Sequence, residues 1–440
     1  MMKRFLLLAL VFVGLPSAHA ALHIQSWTLD NGARVLFVES RSIPVLDVSI
    51  EFDAGARRDP EGKAGTAALT DAMLARGVQA AQAPLREPAL TEAQILDGFA
   101  DTAAERGGGA GEDQAGATLR TLSDPEQRDA SVKLLARILA QPSFPQDLLE
   151  RDKAREIAMI KEDDTKPESI ASKAFWRLLY GTHPYAWHET VQSVEAITRD
   201  DLVEFHRTHY VANHAVIAMI GDIDHDEADA IARQLTLRLP QGEPLPALPP
   251  VRILPAQEER IPHPASQAHI LLGMPAVARG DPDYFPLIVG NYTLGGGGFV
   301  SRLMHEVREK RALSYSVYSY FDPMAQAGPF QAGLQTKKAQ TEEALKVVRD
   351  TIAAFLRDGP TPAELTAAKE NLVGSFPLRI DNNRKILANI AAIGFYHLPL
   401  DYLDTWTANV QKVTIDEIKA AFRHKLALDR MSTVVVGAEK

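Results

Sequence analysis

Gly65-Thr66-Ala67-Ala68-Leu69-Thr70-Asp71-Ala72-Met73-Leu74-Ala75-Arg76-Gly77 reads as a short helix. Small and apolar residues recur at helical spacing, and Gly77 supplies a stop. Asp59-Pro60-Glu61-Gly62 makes the turn ahead of it. Upstream, Leu22 to Leu29 and Ala33 to Val38 alternate around Asn31-Gly32, a hairpin signal, and Val45 to Phe52 is a further strand. Downstream, helices are predicted over Thr91–Ala104, Asp129–Ala140, Gln146–Asp163, Ser169–Tyr180 and Leu202–His209. Thr198 is the N-cap of the last. Gly107-Gly108-Gly109-Ala110-Gly111 reads as a flexible loop, Ala117–Leu122 as a strand, and Ala215–Ile220 as a strand ending at Gly221.

Residues 239–257 hold six prolines between Pro240 and Pro255, a semi-rigid linker. Beyond it the order of elements repeats. Ala268–Gly273 is a strand, Tyr284–Leu294 and Ser301–Lys310 are helices, and Leu313–Phe321 and Phe330–Thr336 are strands. Thr341–Leu356 and Ala363–Ser375 are helices, and Ser432–Gly437 closes as Ile217–Gly221 did. Val413-Thr414-Ile415-Asp416 punctuates the second half as Ile197-Thr198-Arg199-Asp200 does the first. Two halves with one element order imply duplication. The expected fold is α+β: residues 21–238 and 258–440 as two related domains, each with helices packed on a mostly antiparallel sheet, facing each other like shells.

The 440 residues are 46% hydrophobic, enough for two cores. The formal net charge of −10 argues against nucleic acid or an anionic membrane as partner. With no cysteine, disulfides, Cys-bound zinc and Cys nucleophiles are excluded. Lys3-Arg4, the apolar run Phe5–Leu15 and Ala18-His19-Ala20 read as a cleaved signal peptide over residues 1–20. The mature chain is therefore expected in the periplasm, with no membrane span.

The residues around the opening helix resemble the first active-site helix of the pitrilysin/insulysin family of zinc peptidases. The resemblance runs over nearly the whole mature chain. It is carried by Asp59–Gly65, His183-Pro184-Tyr185, Thr198–Gly221 and Leu294–Tyr315, in that order. In active members the helix carries His-x-x-Glu-His, with two imidazoles as zinc ligands and the Glu as general base. The matching positions here are Ala68, Asp71 and Ala72. A methyl group cannot ligate zinc, so the resemblance implies no metal in this chain and no metal-bound water for Asp71 to activate. The family's third ligand, a Glu on the later long helix, matches Glu156, with Glu150 as competitor.

Arg308-Glu309-Lys310-Arg311-Ala312-Leu313-Ser314-Tyr315 resembles the family's Arg/Tyr pair at the family's spacing. There Arg offers donors to substrate carbonyls and Tyr donates to the developing oxyanion. In the resemblance, Gly295-Gly296-Gly297-Gly298 lies near bound peptide. No Gly-Lys-Ser/Thr follows it, so a nucleotide loop is not expected. His206, His209 and His214 are the other candidates for a metal site, but they read as structural, on a helix end facing solvent.

Some heterodimeric bacterial members, like the mitochondrial processing peptidase, divide the work between a zinc-bearing chain and one that keeps only Arg/Tyr. The resemblance implies that this chain is of the second kind. Zinc would sit in a homologous His-x-x-Glu-His partner, this chain would bind no cofactor, and small unstructured peptides would be the substrate. The alternative is a catalytically inert peptide-binding or scaffold protein of the same fold.

Overall fold

A computed structural model describes residues 22–81 and 86–437. The leader read at residues 1–20 lies outside the described residues.

The first half opens with β1 (Gln25–Thr28), β2 (Arg34–Glu39), β3 (Val45–Phe52) and α1 (Thr66–Leu74). The short β4 (Gly77–Val78) and β5 (Leu90–Thr91) pair with each other, followed by α2 (Glu92–Asp101), β6 (Glu105–Ala110) and β7 (Ala115–Leu122). Then come α3 (Pro125–Ala140), α4 (Gln146–Asp163), α5 (Pro167–Tyr180), α6 (Val191–Ala196), α7 (Arg199–His209), β8 (Val216–Gly221) and α8 (His225–Thr236). The second half runs β9 (Glu258–Ile261), β10 (Gln267–Val277), α9 (Tyr284–Asn291), β11 (Val317–Phe321) and β12 (Gly328–Lys337). It closes with α10 (Thr341–Asp358), α11 (Pro362–Ser375), α12 (Asn383–Phe395), α13 (Tyr402–Lys412), α14 (Ile415–Lys425) and β13 (Ser432–Val436).

The fold is α+β. A six-stranded sheet has the order β1-β2-β8-β3-β7-β6 and a five-stranded sheet the order β11-β12-β10-β13-β9. Each is antiparallel except for one pair, β2 with β8 and β9 with β13. The halves therefore repeat in topology, and β6 and β11 occupy equivalent free edges. Local chemistry places the ends of the elements. The hairpin turns at Gly32, with φ of 89°, and the Asn31 Oδ1 accepts from the Ala33 N–H. Thr198 and Thr414 close reciprocal capping boxes on α7 and α14.

Three expectations change. The glycine run at 107–111 is not a loop: Gly107, Gly108 and Gly109 pair with Thr118, Ala117 and Gly116 in the β6–β7 ladder. Gly108 has φ of 127°, and a Cβ there would lie 2.2 Å from the Gly116 carbonyl oxygen, so glycine is the residue this edge requires. The helix from Tyr284 is α only to Asn291 and continues as a π turn, Tyr292–Gly296; Met304–Glu309 is π-helical as well. The stretch after Leu313 becomes strand only at Val317. Helices α6, α8, α12 and α13 have no counterpart in the sequence reading.

A sheet with helices on one face must still cover the other. The halves solve this by exchange: α5 of the first packs on β10 and β13, and α12 of the second packs on β8, β3 and β2. Close approach is built in on both sides. A Cβ on Gly273 would sit 2.9 Å from the Phe175 ring, and one on Gly394 would sit 2.6 Å from side-chain atoms of Leu36 and Val216. Leu387, Ile390, Ala391 and Ile393 bury against Leu36, Val38, Ala218 and Ile220. Each buried aliphatic chain of the Leu or Ile type contributes about 1.5–3 kcal/mol.

Polar ties reinforce the exchange. The buried Asp113 carboxylate accepts from Arg57 (2.9 Å) and Tyr185 (2.6 Å) of the first half, and from the Ala325 N–H (2.7 Å) and Tyr396 (2.9 Å) of the second. The proline-rich segment has no regular structure. It is held where Arg58 donates to the Pro246 carbonyl and where Gln326 and His183 meet that of Pro249. Among the described residues, no helix is long and apolar enough to cross a membrane.

Candidate functional site: a vacated helix and an arginine-tyrosine cleft

The turn before α1 exists to cap it. The Asp59 carboxylate accepts from the Gly65 and Ala67 N–H groups, both at 2.7 Å, and Lys63 pairs with Asp201 at 2.6 Å. Burial still pushes Asp59 up to about 7. On the helix so fixed, Asp71 is buried, Ala68 half-buried and Ala72 exposed. Burial raises Asp71 to about 6 against the opposing charge of Arg106. Arg106 comes from the edge strand β6, and among the described residues neither its Nε nor the Asp71 Oδ1 has a hydrogen-bond partner.

Glu156 of α4 does approach the end of α1, but its company is another acid. Its carboxyl stands beside that of Glu189, which lies against Gly65. Burial, and then Glu156, hold the Glu189 carboxyl well above the ordinary range. Two carboxyls in contact keep a proton between them rather than ionising together. With methyl groups at 68 and 72, this donor set does not fit zinc, which takes three protein ligands even at an open site. Among the described residues, no group of three or more metal-ligating side chains converges.

The other histidines are packed into the fold. His206 Nε2 lies 2.7 Å from the Leu139 carbonyl oxygen, and the ring stacks on Tyr210 at 5.1 Å. His209 Nδ1 lies 2.9 Å from that of Asp53. Both are buried, so the end of α7 faces the core and not solvent as expected. Burial lowers both pKa values, His209 to about 4.

In the second half, Arg308, Tyr315 and Gly295, Gly296 and Gly298 line one cleft of about 560 Å³. The cleft is built by the π turn after α9. Asn291 donates to the Ser319 carbonyl at 2.8 Å and accepts from the Ser319 hydroxyl at 2.6 Å, tying that turn to β11. The fold itself explains three of the four glycines: a Cβ on Gly295, Gly296 or Gly297 would lie 2.3–2.7 Å from Ser319, Asn291 or Tyr292. Gly298, with φ of 60°, has open space where its Cβ would be.

Arg308 projects from the second π turn, with its guanidinium 4.7 Å from the Phe299 ring centroid. Its neighbours Lys310 and Arg311 both pair with Glu306, and His305 with Glu309. Among the described residues Arg308 has no such carboxylate partner. Tyr315 follows in irregular backbone fastened by the Thr336 hydroxyl to the Leu313 carbonyl and by the Ser314 hydroxyl to the Ser316 carbonyl, both 2.6 Å. Its side chain is 85% exposed. A cation stacked on a ring and a phenol in the open are both free to meet a ligand in this cleft.

Sequence reasoning gave no role to the half-buried acids Glu51, Glu112 and Glu189, and read Asp59 only as part of a turn. The first did leave a trace: Asp47, Ser49 and Glu51 recur at every second residue of β3, marking a polar sheet face. His183-Pro184-Tyr185 gains its reason only here, as the motif that brings the Tyr185 hydroxyl to Asp113.

A family model for the peptidase M16 inactive domain matches residues 196–372. The chain is similar to the crystal structure of a peptidase M16 inactive domain from Pseudomonas fluorescens, at 39% identity and a TM-score of 0.89, covering 95% of this chain and 98% of that one. It is 27% identical over 450 residues to the non-peptidase homolog YmxG of Helicobacter pylori, covering 100% of this chain and 99% of that protein. It is 32% identical over 294 residues to an uncharacterized zinc protease of Streptomyces coelicolor, covering 65% of this chain and 63% of that protein, so it spans a little under two thirds of that relative. At 39% identity over nearly the whole of the Pseudomonas domain, and with its fold, this chain belongs to the peptidase M16 inactive domain family.

Proposed function

We propose that the chain is the non-zinc subunit of a two-chain peptidase, exported to the periplasm and paired with a homologue that bears His-x-x-Glu-His. One observation carries this reading: a guanidinium without a carboxylate partner and an exposed phenol share a glycine-edged cleft, on a chain whose metal helix has lost its ligands. A protein that only holds a fold together has no use for that pair in that place. The partner's helix would supply the metal chemistry. From this side, Arg308 donates to peptide carbonyls and orients the chain. Tyr315 donates to the scissile carbonyl oxygen as negative charge gathers on it. Substrates are peptides unstructured enough to enter a chamber formed between the two chains.

The test is to mix this chain with a His-x-x-Glu-His homologue from the same genome and assay peptide cleavage. Activity should appear only in the mixture, and Tyr315→Phe should lower it about 10²–10³-fold, the loss expected for one oxyanion donor. An inert scaffold, the reading favoured by the non-peptidase name of the Helicobacter relative, predicts no activity in any mixture. Cleavage by this chain alone would refute both.

A further inference from the structure

Tyr315 stands on the rim of two clefts. One is the Arg308 cleft. The other, of about 410 Å³, lies on the opposite face of the second sheet, between that face and the exchanged helix α5. We propose that this second cleft receives an aromatic side chain of the peptide that Arg308 and Tyr315 hold, so that the chain selects peptides with Phe, Tyr or Trp beside the gripped bond. The inference rests on the reading of Arg308 and Tyr315 given above.

Four large aromatic rings face the cleft, beside the smaller imidazole of His269. Tyr318 and Tyr320 point to the same side of β11, with centroids 5.9 Å apart and planes within 13° of parallel. Trp176 of α5 and Tyr315 complete the lining. Tyr318 and Tyr320 are each 39% exposed, an uncommon outlay of aromatic surface. Gln331 and Gln335 add neutral amides that can meet a phenol or indole donor. No lysine or arginine lines the cleft, burial lowers the proton affinity of His269 there, and Glu168 stands exposed at the edge, so an acidic side chain would find no fixed counter-charge.

The duplication supplies an internal control. The equivalent space in the first half, between the first sheet and α12, is lined by Asp47, Glu51, Glu105, Arg106, Arg120 and Arg384. The architecture alone therefore produces a charged cleft as readily as an aromatic one. The aromatic lining is a property of the sequence at this one place, next to Tyr315.

The test uses the full exported chain and the unlabelled peptides acetyl-Ala-Ala-X-Ala-Ala-amide, with X as Phe, Tyr, Ala, Glu or Lys, by titration calorimetry. The Phe and Tyr peptides should bind about tenfold more tightly than the Glu peptide, the increment of partly burying one ring. Ser172→Trp fills the cleft from an exposed position on α5. It should erase the preference while leaving the Ala peptide unchanged, with folding checked by circular dichroism. Arg308→Ala should weaken all five peptides alike. A missing preference, or one that survives Ser172→Trp, while Arg308→Ala still weakens every peptide, overturns the aromatic cleft and leaves the Arg308–Tyr315 reading standing. If no peptide binds, or Arg308→Ala changes nothing, both fall.

Discussion

The Asp113 carboxylate accepts the Tyr396 hydroxyl at 2.9 Å from 283 positions further along the chain. With Arg57 and Tyr185 on its other oxygen, this one acid is shared by both halves. Removing it leaves a buried guanidinium with only Asp53 for company, and two phenol O–H donors without their acceptor. Asp113→Ala is expected to destabilise the chain by about 3–5 kcal/mol, and Tyr396→Phe by about 1 kcal/mol. Urea unfolding followed by tryptophan fluorescence checks both values.

Stability should fall as the pH rises through neutrality. Burial holds the Glu51 carboxyl at about 7 in the folded chain against an ordinary value of 4.5. Folding therefore favours the protonated form, and its contribution is whole below about pH 4.5 and lost as the pH passes 7. Asp59 and Glu112, also pushed by burial to about 7, act in the same direction. Glu51→Gln should exceed the parent by about 1–3 kcal/mol at pH 8, with the gap closing toward pH 5. Urea midpoints at the two pH values decide it, and an equal gap at both would contradict the assignment.

Zinc should be recoverable by restoring the lost donors. Ala68→His with Ala72→His returns two imidazoles to one face of α1, and Glu189→Gln removes the second acid beside Glu156. This triple variant should retain about one zinc per chain after dialysis, and the parent none. Atomic emission gives the count. A parent that retains stoichiometric zinc would show that the helix is not vacant.

Tyr315→Phe and Arg308→Ala should separate function from folding. Tyr315 is exposed, and the visible tie of Arg308 is its stacking on Phe299. The expected stability changes are within about 0.5 kcal/mol for the first and about 0.5–1 kcal/mol for the second. A loss of activity in the mixed assay would then belong to the cleft and not to unfolding.

Crowding at Gly273 tests the helix exchange. A methyl there would meet the Phe330 carbonyl oxygen at 1.9 Å and the Phe175 ring at 2.9 Å. Neither α5 nor β12 can yield alone, so Gly273→Ala should cost about 1–3 kcal/mol or more. Thermal unfolding measures it, and a neutral result would mean that α5 is not seated on β10.

By itself the sequence settled what rests on residue identity and short spacing. Alanines at 68 and 72 exclude imidazole ligands at those positions in any fold, Thr198 and Thr414 cap their helices through neighbours three residues on, and alternation marks β1 and β2. The order of elements made the duplication readable, because a repeat needs only one dimension. Tertiary structure alone decided the rest. It turned the glycines at 107–109 into a strand by giving them β7 to pair with, and it drove His206 and His209 into the core. It set Glu189 against Glu156 and laid α5 and α12 across each other's sheets. Burial, proton affinity and packing partners depend on residues that only the fold brings together, and local periodicity carries no record of them.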